Sequence, residues 1–448
     1  MNKIYSLLTS FLIFFILISC SFDNKTGVWK DKSKELEMKS VGKNVKRVFS
    51  KVEKFKEEVS NDLIINISRP VINYDWIDEN FSVNNLLPHF EYEDKKNLIF
   101  KSKKILKKIN SDYSDFVPLI SKNNIFLYDS SGSIYNYSLE KKILVWRFNF
   151  YKKKFKKFPI KINLKIESNN LIVSDNLGYF YSIDVNSGEI QWAKNYGVPF
   201  RSNIKVAGQY IFAVNQDNKF YGIRKNDGEK SLDLETFPSF LHAEQKTNIS
   251  VDDVKRNVYF ITSSGEVYSI NYEKNIVNWI YKATTRSVDK TVDLFFSSPI
   301  IFYDDKIIIS TSVSTISLNS SNGRLNWELP FSTYIRPAIS NDFIFLASDD
   351  GFIINLNTKT GKVVWSKNLF NKSKKINKEK IGKITSIILI SEKIFVTTKK
   401  GYFLFIDYNN GEISNYAKAD SSGFFSKPIV VNKKIYIVNM KGQILIFN

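Results

Sequence analysis

The sequence predicts an all-β fold, an eight-bladed β-propeller closed by pairing of an N-terminal strand with the C-terminal blade. Three observations predict it: a sequence motif that recurs about every 45 residues, four short strands in each repeat, and a last repeat that lacks one strand. The composition agrees, because 43% hydrophobic and 15% aromatic residues in 448 can bury a large core. The net charge of +20 is spread along the chain and indicates no particular acidic partner.

Residues 1–19 are predicted to be a lipoprotein signal peptide. Lys3 is followed by an apolar stretch from Leu7 to Ile18, which has the length of a signal-peptide core. Leu-Ile-Ser before Cys20, the chain's single cysteine, resembles a bacterial lipobox, in which that thiol is diacylated. Ser21, by resemblance to proteobacterial sorting, favours the outer membrane, with the chain facing the periplasm. An ordinary signal peptide with an incidental cysteine, or a signal anchor, is the alternative.

Residues 20–62 are predicted to be a lipidated tether. Apolar residues from Val41 to Val59 return at helical spacing with lysines and glutamates between them. Such an amphipathic helix could lie on the membrane, dock on the main domain or bind a partner. The β-propeller is assigned to residues 63–448, with 63–108 as its closing segment and blades from about residue 115. Pro70 restricts any strand near it to a sheet edge.

The recurring motif consists of a strand in which apolar and polar residues alternate, a turn containing Asn/Ser-Gly, and a tryptophan four residues after that glycine. Gly188 precedes Trp192 in this way, and Gly361 precedes Trp365. The turn requires a positive φ, which favours Gly, Asn and Asp. The tryptophan opens the outermost strand, where its large area can wedge between blades. The predicted structural tryptophans are Trp146, Trp192, Trp279, Trp327 and Trp365.

The two ends of the chain are predicted to complete one blade. Seven turn positions lie at residues 142, 188, 228, 275, 323, 361 and 411. Residues 424–448 then supply three strands without a fourth, and residues 97–105 have an outer-strand pattern without a sheet. Pairing them removes an open sheet edge. A seven-bladed ring and an open solenoid are the alternatives.

The repeat resembles that of pyrroloquinoline quinone-type propellers, which include quinoprotein dehydrogenases and the BamB lipoproteins of the outer-membrane β-barrel assembly machinery. The segment from Trp76 through Asn84-Asn85-Leu86-Leu87-Pro88-His89 resembles the pre-propeller segment of BamB-like proteins. Membership in that family implies a scaffold without a cofactor. It implies docking on the periplasmic POTRA domains of a BamA-like barrel protein, as a monomer within a multi-protein complex.

The resemblance also suggests partner-binding residues. The BamB family has a Leu-x-Leu-Arg loop at the partner, and Val198-Pro199-Phe200-Arg201 matches it with Phe in place of Leu. Phe200 would be an apolar anchor and Arg201 a charged donor. Asp293 would be the acidic residue of a neighbouring loop.

An enzyme is not expected, and neither catalytic nor metal-binding residues are predicted. Beyond Cys20 no cysteine can form the vicinal pair seen in quinoprotein dehydrogenases, and no acidic cluster indicates calcium. His89 and His242 have no nearby nucleophile. Nucleic acid is not expected as a partner, and the basic residues 371–383 are interpreted as a solvated loop. A quinoprotein dehydrogenase-like or glycan-binding propeller of the cell envelope remains the alternative.

Overall fold

The computed structural model describes residues 21–22, 29–30, 55–60, 63–110, 116–151, 155, 158–237, 246–283, 296–370 and 376–448. The chain divides into two units, residues 1–53 and 54–448. In the first unit, β1 (Ser21–Phe22) pairs with β2 (Trp29–Lys30) in an antiparallel manner. Across the described ranges, no helix has both the length and the apolar character needed to cross a bilayer.

The second unit contains eight four-stranded antiparallel sheets, the blades of a propeller. In blade 1 the second and third strands are largely buried, whereas the fourth consists of exposed and half-buried residues. Blade 1 consists of β4 (Leu119–Ser121), β5 (Asn124–Tyr128), β6 (Ser133–Ser138) and β7 (Ile143–Asn149). Blade 2 consists of β8 (Ile162–Glu167), β9 (Asn170–Asp175), β10 (Tyr179–Asp184) and β11 (Ile190–Asn195).

Blades 3 to 5 repeat this arrangement. Blade 3 consists of β12 (Lys205–Ala207), β13 (Tyr210–Val214), β14 (Phe220–Arg224) and β15 (Lys230–Leu234). Blade 4 consists of β16 (Ile249–Asp252), β17 (Asn257–Ile261), β18 (Glu266–Asn271) and β19 (Ile276–Lys282). Blade 5 consists of β20 (Ile301–Tyr303), β21 (Lys306–Ser310), β22 (Thr315–Asn319) and β23 (Leu325–Leu329).

Blades 6 and 7 are separated by a short helix, α1 (Lys378–Ile381). Blade 6 consists of β24 (Ala338–Ser340), β25 (Phe343–Ala347), β26 (Phe352–Asn357) and β27 (Val363–Asn368). Blade 7 consists of β28 (Ile384–Ile390), β29 (Lys393–Thr398), β30 (Tyr402–Ile406) and β31 (Ile413–Lys418).

Blade 8 joins the two ends of the propeller. Its inner strands are β32 (Ile429–Val431), β33 (Lys434–Val438) and β34 (Ile444–Phe447), and its outermost strand is β3 (Leu98–Lys101). Leu98 is paired with Phe447 and Lys101 with Leu445. The predicted eight blades and the predicted closure are therefore confirmed, and the seven-bladed and solenoid alternatives are wrong.

Each predicted tryptophan lies against the turn of the following blade. The indole N–H of Trp365 donates to the backbone carbonyl of Tyr408 at 2.9 Å, and its ring covers Gly411. A Cβ at Gly361 would lie 2.6 Å from the ring of Trp327, and φ at Gly361 is +67°, so glycine is required there for two reasons. The other indoles donate to next-blade carbonyls as well, those of Val185, Lys225, Ser320 and Thr358.

The end of the predicted tether helix is extended instead of helical, so the helix prediction is wrong over residues 55–59. The amide of Phe55 donates to the carbonyl of Pro330 at 2.8 Å, and Val59 forms an antiparallel bridge with Ser366 at the outer edge of blade 6. Open backbone groups of an edge strand provide these partners, and a helix would satisfy its own backbone instead. Residues 41–54 lie outside the described residues.

Candidate functional site

Residues 66–93, here called the plug, cross the centre of the ring. The first strands of the blades surround this centre, and the plug contacts the first strand or the following turn of all eight blades. It folds back on itself, since Val71 and Phe90 form a parallel bridge. The plug residues most deeply buried include Trp76, Asp78, Asn85 and Phe90, each at most 2% exposed.

Backbone hydrogen bonds attach the plug to several inner strands. Trp76 and Ile120 of blade 1 exchange two of them, at 2.7 and 2.9 Å. At blade 7, two positions from blade 1 around the ring, the Phe90 amide donates to Leu389 at 3.0 Å and the Phe90 carbonyl accepts from Ser391 at 2.7 Å. These contacts fix the plug as an additional strand-like element inside the ring.

Side-chain hydrogen bonds attach the plug to the remaining blades. The Asn85 amide donates to the carbonyls of Ile249 at 2.8 Å and Ile300 at 2.6 Å, which joins blades 4 and 5. Ser68 contacts Ser340 of blade 6. The ring nitrogens of His89 face the carbonyls of Ser68 and Ser391, and the side chain is 3% exposed. His89 is therefore a structural link between plug and blade 7.

Charged groups of the plug are paired with cations of the ring. Lys205 of blade 3 is fully buried, and its ammonium donates to Asp78 Oδ1 at 2.9 Å and to the Ser82 carbonyl at 2.6 Å. Burial lowers the pKa of Lys205 to about 8, and Asp78 opposes that shift. Because removing one partner would leave the other charge buried without a counterion, the pair couples the stability of the ring to the placement of the plug.

A second pair lies beside the first. Lys246 forms an ion pair with Glu79, which is 4% exposed, and Arg336 donates to Asn80. Burial raises the pKa of the Glu79 carboxyl, and Lys246 opposes that change. These contacts connect residues before blades 4 and 6 across the ring.

One cavity beside the plug is too small for a cofactor. The cavity bounded by Trp76, Glu79, Leu87 and Arg336 has a free volume of about 20 Å³, enough for one or two water molecules. Ligand pockets for cofactor-sized molecules are typically hundreds of cubic ångströms. The described residues also contain no group of three or more His, Cys, Asp or Glu side chains arranged for a metal ion.

The predicted partner loop lies between blades 2 and 3. The amide of Phe200 donates to the carbonyl of Asp175, and the carbonyl of Pro199 accepts from the amide of Gln216. Asp175 ends the second strand of blade 2 and Gln216 lies in the turn after the second strand of blade 3, so the loop is on the face of the ring where outer strands lead to the next blade.

Phe200 is not an exposed anchor, so the sequence prediction needs a correction. Its side chain is 2% exposed and packs edge-to-face on Phe180, Tyr196 and Tyr221. The side chain that was expected to face a partner instead fills the space between two blades. Arg201 is half-buried, and its guanidinium donates to Gln216 Oε1 at 3.0 Å. A role for this loop in partner binding now depends on Arg201.

Other predicted sites fall beyond the structural description. Cys20, His242, Asp293 and the signal peptide 1–19 lie outside the described residues. The plug is the feature that sequence reasoning missed. Its signal was the set of polar residues Asp78, Glu79, Asn80 and Asn85 within a β-type stretch, where no partner could be assigned without the ring.

Comparison with known proteins identifies a family and a fold. The family model described as "Outer membrane protein assembly factor BamB" matches residues 130–367 and 350–448. A protein of that name from Shewanella oneidensis is 23% identical over 356 residues, covering 75% of this chain and 84% of the relative. Its namesake from Legionella pneumophila is 23% identical over 211 residues, covering 46% and 51%.

Solved structures show the same fold at low sequence identity. BamB from Moraxella catarrhalis superposes with a TM-score of 0.63 at 13% identity, covering 79% of this chain and 99% of that one. A europium-containing methanol dehydrogenase superposes with a TM-score of 0.62 at 11% identity, covering 82% and 89%. The same architecture is thus found both in a BamB protein and in a dehydrogenase, so the fold by itself does not decide the function.

Proposed function

The chain belongs to the family of the outer membrane protein assembly factor BamB, and on that basis we propose that it is a non-catalytic scaffold lipoprotein of the β-barrel assembly machinery. The observation that carries the proposal is the family match over residues 130–367 and 350–448. In this role the chain binds the periplasmic domains of a BamA-like barrel protein and assists insertion of outer-membrane proteins. It acts as a monomer within that complex.

The plug supports binding to proteins over chemistry on small molecules. A cofactor in a propeller of this architecture needs room near the ring axis, and here residues 66–93 occupy it with a buried ion pair between Asp78 and Lys205. Binding functions of a rigid ring lie in its loops. We therefore assign the function to the loop surface and none to the channel.

The partner surface is proposed to include Arg201 on the face of the blade-linking loops. Gln216 orients the guanidinium at 3.0 Å, and a guanidinium can form paired hydrogen bonds with a carboxylate of the partner. Asp293 is kept as the acidic residue of the same surface. The chain is proposed to be anchored through an acylated Cys20 in the outer membrane, facing the periplasm.

Co-purification tests the proposed partner surface. Arg201→Glu is compared with the control variant Arg324→Glu. Arg324 is exposed in the turn before the fourth strand of blade 5, on the opposite face of the ring. We expect loss of the BamA-like protein from detergent-solubilised complexes with Arg201→Glu and retention with Arg324→Glu. Retention with both variants would remove Arg201 from the interface, and absence of the barrel protein from wild-type complexes would refute the proposed function.

A quinoprotein-type dehydrogenase is the second candidate, since the methanol dehydrogenase likeness favours it. Binding of pyrroloquinoline quinone in the presence of calcium can be measured by its visible absorption. A saturable spectral change with the wild-type chain would support the enzyme, and its absence would support the scaffold. A cell-envelope glycan recovered by crosslinking in place of the barrel protein would indicate a glycan-binding propeller.

A further inference from the structure

The rim of the ring at the junction of blades 8 and 1 carries exposed aliphatic side chains. This surface, here called the seam rim, consists of β3, residues 102–109 and residues 141–145 of blade 1. Five of its apolar side chains are 45–53% exposed: Leu98, Ile99, Ile143, Leu144 and Val145. Aliphatic groups clustered at an exposed rim indicate an interaction surface.

Most of the lysines around these aliphatic groups have no acidic partner within the part of the chain that the structure describes. Residues 97–110 contain five lysines and neither Asp nor Glu, and the nearest acidic residues along the chain are Asp94 and Asp112. The lysines with exposed side chains and no ion pair among the described contacts are Lys103, Lys104, Lys107, Lys108, Lys141 and Lys142. Lys101 pairs with Asp420 at 3.4 Å, and Glu140 is the exposed acid of this surface.

The two blades form one continuous surface here. The Lys142 ammonium lies 5.5 Å from the centre of the Phe100 ring, so the turn of blade 1 covers the outer strand of blade 8. At two other junctions an outer-strand lysine forms an ion pair with the next blade: Lys194 pairs with Glu229, and Lys367 pairs with Glu412 at 3.1 Å. The seam rim therefore differs from those two junctions in carrying lysines without an ion pair among the described contacts, whereas exposed aliphatic side chains also occur on the outer strand of blade 4, at Ile276 and Ile280.

Protection of open sheet edges does not explain these lysines. A lysine blocks edge pairing when it projects from the edge strand itself. Lys103, Lys104, Lys107 and Lys108 follow the end of β3 at Lys101, and the exposed part of β7 over Ile143–Val145 is purely aliphatic. An edge designed only against aggregation would place its charges on that strand.

We propose that the seam rim binds the surface of an anionic lipid bilayer. Lysine ammonium groups attract phosphate headgroups, and their alkyl stems, together with the exposed aliphatic side chains, reach the apolar boundary beneath them. The proposal goes beyond the proposed function and uses it only for the membrane setting. Beyond the β1–β2 pair, the 24 residues between Lys30 and Phe55 can span up to roughly 80 Å when extended, so an anchor at Cys20 permits this contact.

Site-specific fluorescence quenching tests the proposal in the full-length, membrane-purified protein. A bimane label on Leu144→Cys reports the seam rim, and a label on Ile280→Cys, 41% exposed on the outer strand of blade 4, is the matched control. The wild-type chain provides the background from Cys20. Protein is added to vesicles of phosphatidylethanolamine and phosphatidylglycerol, or of phosphatidylcholine, each containing a brominated lipid as quencher.

We expect quenching at position 144 and not at 280 in the anionic vesicles, with loss of quenching at 1 M salt, where the screening length is about 3 Å. Replacing Lys103, Lys104, Lys107 and Lys108 by Ser should raise the lipid concentration needed for half-maximal quenching by roughly tenfold or more. Equal quenching at both positions, or none at 144, would overturn the proposal. Flotation with phosphatidylcholine vesicles reports the acyl anchor separately, so failure of the anchor and failure of the seam rim are distinguishable.

Discussion

The centre of the ring and its outer blade junctions are stabilised by different kinds of interaction. At the outer junctions one contact recurs, an indole N–H donating to a carbonyl of the next blade, as Trp327 does to Thr358 at 2.8 Å. At the centre the contacts between plug and ring are not repeated from blade to blade: Asp78 accepts from Lys205 of blade 3, whereas Asn85 donates to the carbonyl of Ile249 in blade 4. A repeated sequence thus produces the junctions, whereas a single non-repeated segment completes the centre.

Blade 8 shows where the repeat itself changes. Its outer strand comes from the other end of the propeller, and Phe100 in that strand stands where other blades have a tryptophan. The facing turn belongs to blade 1, and there Lys142 stands where other blades have a glycine. Lys142 keeps the left-handed backbone of the glycine position, with φ at 56°, although it carries a side chain. The closing junction therefore preserves the geometry of the others with less favourable residues.

The largest expected effect comes from the buried pair at the centre. Lys205→Met leaves Asp78 charged and buried, and we expect the free energy of unfolding to fall by about 3–5 kcal/mol. The double variant Asp78→Asn/Lys205→Met removes both charges and should recover most of that loss. Urea denaturation measures both. Equal stability of the single variant and the wild type would show that the pair does not couple plug and ring.

A comparable loss is expected at a regular junction. Trp365 is fully buried, so Trp365→Ala should lower the free energy of unfolding by about 3–5 kcal/mol. Trp146 is half-buried in the same position of blade 1, and its alanine variant should cost clearly less. Denaturation of the two variants side by side tests this, and equal losses would contradict the role of burial.

The centre should also respond to pH, with a smaller effect. The pKa of Lys205 is about 8 in the folded ring and about 10.5 in the unfolded chain, so between these values the unfolded chain binds more protons. Stability contributed by this site should rise with pH, by up to about 2 kcal/mol from pH 8 to 9.5. The difference between the wild type and the Asp78→Asn/Lys205→Met variant isolates it, and a falling difference would contradict the buried-lysine account.

The smallest effect is a gain at the closing junction. Lys142→Gly relieves a left-handed backbone, and we expect the free energy of unfolding to increase by about 1 kcal/mol or less. Asn275→Gly is the control, because asparagine tolerates its φ of 52° better than lysine does. Thermal denaturation compares the two. A larger gain at position 275 would contradict this explanation.

Features that follow a local period were predictable from the sequence. A repeat of about 45 residues predicted the turn positions and the five tryptophans. The incomplete final repeat predicted the pairing of β3 with the last blade. Val59 and Phe200 were not predictable in this way. Helical spacing placed Val59 on a helix, but the edge of blade 6 binds it as an extended segment, and neighbouring aromatic rings enclose Phe200.

The sequence by itself determined the ring, because each blade repeats local turn and strand signals that need no distant partner to be recognised. Only the tertiary structure decided what lies at the centre and which side chains face a partner. Asp78, Asn85 and His89 acquire their roles from carbonyls and cations more than a hundred residues away, as in the contact of His89 with Ser391. Such partners meet only after the ring has closed, so no local pattern in the chain can specify them.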